Sequence, residues 1–175
     1  PAEPARKGYA FLGWFTQETG GTQVDGNTVF KEVASTTYYA HWEEATVFSV
    51  VVPAVLPVTV DQNGKVYVSN AEIVNHSTAA VQVSSVTLTA ENGWTLVPYA
   101  SDMSHAKVDS NQIGFKINSA QTSKTGSTEQ FELTSPWQIN KEESLTLTYD
   151  AVVSALSQPV TNANILCVLF VVEWA

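Results

Sequence analysis

Val81-Gln82-Val83-Ser84-Ser85-Val86-Thr87-Leu88-Thr89 alternates apolar with hydroxyl or amide side chains. A period of two marks a strand that buries one face. β-branched residues suit a pleated sheet and lose rotamer freedom in a helix. Val81 and Val83 fall on one parity, Val86 and Leu88 on the other. The phase slips at Ser84-Ser85, which predicts a β-bulge there.

The same pattern extends in both directions. Upstream, strands are expected over residues 46–52, closed by Pro53, then 55–60, 65–69 and 71–75. Asp61-Gln62-Asn63-Gly64 lies between two of these runs, and an Asn-Gly pair in that position signals a tight hairpin. Downstream, Asn92-Gly93 opens a strand at 94–97. Ile113, Phe115 and Ile117 alternate with Gly114 and Lys116, Phe131 and Leu133 flank Glu132, and Leu145, Leu147 and Tyr149 alternate with Thr146 and Thr148. Residues 165–174 are apolar on both parities, which predicts a central strand covered on both faces. The long loop is expected at 99–110, with one helical turn, and an exposed loop at 118–127. Eight to ten short strands at this spacing read as an antiparallel sandwich, Ig-like or jelly-roll, over residues 45–175.

Composition agrees. Of 175 residues, 44% are hydrophobic, enough to form a core, and only 14% are charged. The net charge is −9 with a single arginine, Arg6. Nucleic-acid binding needs a Lys/Arg footprint, and an anionic membrane surface would repel such a chain. No apolar run reaches the length of a membrane-spanning helix. The one cysteine, Cys167, sits within an apolar run and reads as a small core residue. The chain opens Pro1-Ala2-Glu3-Pro4 without Met, which suggests a fragment whose targeting and anchoring signals lie elsewhere.

Residues 1–44 differ in character. Gly8-Tyr9-Ala10-Phe11-Leu12-Gly13-Trp14-Phe15 and Thr37-Tyr38-Tyr39-Ala40-His41-Trp42 are two aromatic strands able to pair across the sheet. Tyr9, Phe11 and Phe15 share one parity, and Leu12 and Trp14 the other. Glu18-Thr19-Gly20-Gly21 and Asp25-Gly26-Asn27 supply turns. The composition changes near Glu43-Glu44, giving a boundary at 43–46.

The order Gly8-Tyr9-x-Phe11-x-Gly13-Trp14-Phe15, Gly20-Gly21-Thr22 and Tyr39-Ala40-His41-Trp42 resembles the Listeria–Bacteroides repeat, the internalin B-type B-repeat, over residues 4–43. The likeness is to the C-terminal half of that module. It implies a partial β-grasp-like unit of a secreted surface protein, serving as a stalk or adhesive element. Val52-Pro53-Ala54-x-Leu56-Pro57-Val58, Ile73-Val74-Asn75-x-Ser77 and Asn92-Gly93-Trp94-x-Leu96 are similar to modules in large surface proteins of Gram-positive gut bacteria.

The candidate sites divide by chemistry. Trp14, Trp94, Tyr99 and Trp137 lie at or near turns, and exposed aromatic faces there would stack on sugar rings, with Trp94, Tyr99 and Trp137 the candidate binding set; the competing reading is that they fill the core. Trp137 follows Ser135-Pro136 in an expected loop and is the least committed to the core. Asp61-Gln62-Asn63-Gly64-Lys65 lacks the oxygen ligand and following glycine of a calcium loop. His41, His76 and His105 are too scattered for a zinc set. Asp102, Ser104 and His105 hold triad residue types, but sequence neighbours rarely take triad geometry. The acidic pairs Glu43-Glu44 and Glu142-Glu143 read as solvated charge. A Lys–Asn cross-link would require a buried lysine, and Lys116 falls on the opposite parity from its apolar neighbours.

These readings converge on an expected function: a non-enzymatic structural or adhesive segment of a secreted, cell-surface bacterial protein, attached to the cell wall or surface through other regions. No catalytic residue, metal or cofactor is expected. The expected partners are a host or bacterial surface protein or glycan, with no nucleic acid and no membrane insertion. Strand addition at the N-terminal module's edge is a further expectation, and a carbohydrate-binding module is the alternative.

Overall fold

A computed structural model describes residues 2–26, 28, 36–60, 66–158, 160 and 163–175. The turn expected at 61–64, with the calcium reading attached to it, lies outside them, as does Asn27.

The protein is all-β. The N-terminal sheet holds β1 (Tyr9–Phe15), β2 (Gln23–Val24) and β3 (Tyr39–Glu44) in the antiparallel order β2-β1-β3. The β1–β3 register steps from Phe11↔Trp42 to Gly13↔His41, so Leu12 is an extra, bulged residue. This corrects the expected parity, because the bulge turns Trp14 onto the face of Phe11 and sends Phe15 to the other. The Phe11 ring accordingly lies 5.7 Å from Trp14 and 5.4 Å from Trp42, while Phe15 stacks on His41 at 4.0 Å. Gly13 has φ +129, a conformation that a side chain would strain, and a Cβ there would collide with the Gln23 amide.

The rest of the described chain forms the sandwich. Its long sheet has β8 (Val81–Ala90) at the centre, flanked by β12 (Thr128–Ile139) and β15 (Leu166–Trp174). Both partners shift register opposite Ser84, as the phase slip predicts. Val81, Val83, Val86 and Leu88 are all buried. Without the bulge, the second pair of apolar residues would face solvent.

Opposite lie β4 (Val50–Val51) and β13 (Ser144–Leu147), both paired with β7 (Ala71–Asn75). The hairpin of β5 (Val58–Val60) and β6 (Val66–Val68) lies against Tyr149, whose hydroxyl donates to the Pro57 carbonyl at 3.0 Å and accepts the Ser69 N–H at 3.3 Å. The remaining sheet carries β10 (Gln112–Ile117) between β11 (Ala120–Gln121) and β14 (Tyr149–Val153), with β9 (Thr95–Leu96) parallel to β10. Phe115, Ile73, Leu88, Leu96, Ile113, Ile117 and Ile139 are the largest apolar side chains fully enclosed between these layers among the described residues. Each contributes about 1.5–3 kcal/mol by leaving water.

Several expectations are corrected. The strand at 165–174 is not central: among the described residues β15 pairs with β8 alone, and Cys167 is exposed rather than in the core. Trp137 lies in β12, opposite Val83, not in a loop. The segment 118–127 returns as β11 and buries Ala120 and Thr122. The run containing Leu145, Leu147 and Tyr149 is two strands in two sheets, broken at Thr148. Alternation continues through that corner because both sheets face one core. The strand expected at 46–52 shortens to β4. The helical turn expected in the long loop is a 3-10 turn at Met103–His105.

Candidate functional site

The N-terminal sheet sits on one end of the sandwich. A narrow groove there is lined by Pro4, Tyr9, Phe11 and Trp42 on one side and by Thr78, Ala79, Ala80 and Lys141 on the other. The backbone tie Ala45 N–H to Gly8 O, at 2.9 Å, closes β1 against the connection. Thr78 Oγ1 then receives the N–H groups of Thr46 and Val47, at 3.1 and 3.2 Å. Lys7 reaches Glu173 of β15 at 3.3 Å, and Phe48 meets Trp174 edge-on with centroids 5.0 Å apart.

Asn75 organises that end. Its side chain is fully buried. Nδ2 donates to the carbonyl oxygens of Ala79, Ile139 and Asn140 at 2.9, 3.1 and 3.0 Å, and Oδ1 accepts the Ser77 N–H at 2.8 Å. One amide therefore joins the turn after β7 to the turn after β12, and these turns supply Thr78, Ala79, Ala80 and Lys141 to the groove. Ser77 Oγ accepts the Ser49 N–H at 2.9 Å and donates to the Ser49 carbonyl at 3.2 Å. The Asn75-x-Ser77 spacing is the sequence signal: Asn before a turn caps the N–H two residues on. The three carbonyl partners arrive only through the fold.

The three aromatic candidates are separated. Trp94 and Trp137 pack partly against the core. Trp94 follows the turn at Asn92 and Gly93, both with positive φ, 52 and 81. Trp137 Nε1 donates to Ser119 Oγ at 3.0 Å. Tyr99 lies over Gly114 and donates its hydroxyl to Asp150 Oδ2 at 2.7 Å. That bond, helped by partial burial and the carboxylate charge, raises the phenol pKa above its ordinary value. Among the described residues, no ring contact joins any two of the three.

Asp102, Ser104 and His105 do meet. Ser104 Oγ lies 2.9 Å and Asp102 Oδ2 3.6 Å from the same ring nitrogen, Nδ1 of His105. A relay requires the hydroxyl and the carboxylate on opposite ring nitrogens. The His105 side chain is also 91% exposed, so no dry pocket surrounds it. Asp102 instead caps the 3-10 turn through the Ser104 N–H, which lowers its pKa. Lys116 is exposed opposite Asp150. His76 lies 3.6 Å from Glu142, and His41 Nε2 lies 2.9 Å from the Gln17 carbonyl. No helix among the described residues is long and apolar enough to cross a membrane.

The pattern of aromatic strands β1 and β3, with a double-glycine turn leading from β1 into β2, has a counterpart among known proteins. Residues 1–41 match the Listeria-Bacteroides repeat domain. The matched segment contains β1 and β2 and ends inside β3. This repeat family is typical of surface proteins. No curated protein and no solved structure matches the chain.

Proposed function

We propose that the chain is a structural or adhesive segment of a secreted bacterial surface protein, a stalk or adhesin module with no catalytic role. One observation carries this reading: a sheet matching a surface-protein repeat is seated on the end of a sandwich through Asn75-braced turns. A three-stranded sheet of this size has little core of its own, since Ala10 is the only buried hydrophobic of β1–β3. Packing on the sandwich supplies the rest and makes a stiff unit. The partner is a surface protein or glycan of host or bacterium, met through loops and aromatic edges. Among the described residues no strand pairs with the outer edge of β3, which leaves room there for a strand from a neighbour.

The test is adhesion under flow. Bacteria carrying the full-length protein are compared with bacteria whose gene lacks, in frame, the codons for this 175-residue segment. Reduced attachment, or reduced antibody access to regions beyond the segment, supports the proposal. Unchanged attachment and unchanged reach reject it.

A second reading is carbohydrate binding, favoured by Tyr99, whose ring is held in place by Asp150 with Lys116 alongside. Binding on a glycan array that disappears in Tyr99→Ala would establish it.

A further inference from the structure

Among the described residues β15 runs along the edge of the long sheet, pairing on one side only, and it carries no charge from Leu166 to Val172. Exposed edges of natural sheets are usually blunted by lysine, proline or a bulge that turns them away. β15 has no lysine and no proline, and the bulge beside it belongs to β8. Its outward side chains are Cys167, Leu169 and Val171, with Leu169 59% and Val171 45% exposed.

The backbone of the open edge can be assigned. Ile165 O accepts from Glu91 N–H and Ala175 N–H donates to Ala80 O, at 2.9 and 3.1 Å. Bonding alternates along an antiparallel strand, so the odd-numbered residues of β15 bond to β8. Leu166, Val168, Phe170 and Val172 then turn their N–H and C=O groups toward the open edge. Such a row is satisfied by another extended chain, and uncharged side chains select an uncharged strand.

We propose that β15 is a homodimerisation edge, pairing antiparallel with β15 of a second copy about a two-fold axis at Leu169. In that register Leu169 faces Leu169 of the partner, and Cys167 faces the partner's Val171. Val168 and Phe170 exchange backbone hydrogen bonds across the seam. Charge is compatible with this register. Glu173, the only charged residue of β15, falls opposite the partner's Ile165, and the two Glu173 carboxylates lie at opposite ends of the seam. The two long sheets merge into one continuous sheet of six strands, and the two exposed apolar rows cover each other.

The experiment combines sedimentation equilibrium with a cross-link. The wild-type chain is expected to show a concentration-dependent dimer. Leu169→Lys places like charges directly opposed at the axis and raises the dissociation constant by at least about tenfold. Tyr39→Lys, at an exposed position of β3 itself, leaves the dimer intact and so separates this edge from strand addition at β3. Val171→Cys is expected to give a disulfide-linked dimer on mild oxidation with copper–phenanthroline. Non-hydrogen-bonded antiparallel pairs place Cα atoms about 4.5 Å apart, within disulfide reach. Within one copy, positions 167 and 171 are about 13 Å apart and cannot bridge. A monomer at all concentrations, a dimer indifferent to Leu169→Lys, or no cross-link in Val171→Cys would each overturn the proposal.

Discussion

Replacing Asn75 with alanine tests how the end of the sandwich is held. The side chain is fully buried, and its amide joins two turns through the carbonyls of Ala79, Ile139 and Asn140 while capping the Ser77 N–H. An amide has two hydrogens, so two carbonyls are bonded fully and the third shares. Counting three bonds at about 1 kcal/mol each gives a loss of about 3 kcal/mol. Carbonyls left dry and unpaired push the loss higher. For a chain of this size that lowers Tm by about 6–12 °C. Urea unfolding should show a lower midpoint with an unchanged m value, since the surface exposed on unfolding stays the same. Asn75→Asp should cost more than alanine at neutral pH, because a carboxylate would face carbonyl oxygens without compensation. Hydrogen exchange supplies a second readout: the amides of β1 should exchange faster, because the braced turns form the seat of the N-terminal sheet. A loss below about 1 kcal/mol, or β1 protection unchanged, would refute the bracing role.

Two further outcomes follow from the geometry. Gly114→Ala should destabilise by about 1–3 kcal/mol, although alanine normally suits a strand better than glycine. Its Cβ would stand 2.7 Å from Val152 Cγ2 and 2.8 Å from Tyr99 Cα, which thermal unfolding would register as a lower Tm. The pKa values of Asp109 and Asp102 are lowered, chiefly by the N–H groups of Ser157 and Ser104, and that of Glu173 chiefly by the Gln82 amide, then Lys7. A lowered folded-state pKa means that the unfolded chain binds more protons in acid. Stability from these groups is therefore full above their unfolded pKa values, about 4, and declines as pH falls through the folded ones. Tm measured from neutral pH downward should drop along an acid limb that becomes shallower in Asp109→Asn.

The sequence was most legible where a local pattern carried the structural fact. The phase slip at Ser84-Ser85 reported the β8 bulge because burying Val81, Val83, Val86 and Leu88 on one side demands an extra residue. The paired Asn92-Gly93 reported its turn because both residues tolerate positive φ. The edge position of β15 is not legible because an apolar run describes side chains, whereas an edge is defined by which backbone groups lack a partner. Trp14 and Phe15 take faces the parity does not predict because the bulge at Leu12 depends on Gly13 and on the amide of Gln23 beside it. Among the candidate sites, the separation of Trp94, Tyr99 and Trp137 and the shared ring nitrogen of His105 are tertiary facts with no local signal. Asn75 was visible as half of an Asn-x-Ser turn, but its role depends on carbonyls more than sixty residues away in β12 and just after it.

The most direct measurement of the surface assignment is labelling of intact, unpermeabilised cells of the producing organism with antibodies raised against residues 1–175, followed by brief external proteolysis. The account predicts strong labelling that proteolysis removes while a cytoplasmic marker survives. Labelling that appears only after permeabilisation would contradict it.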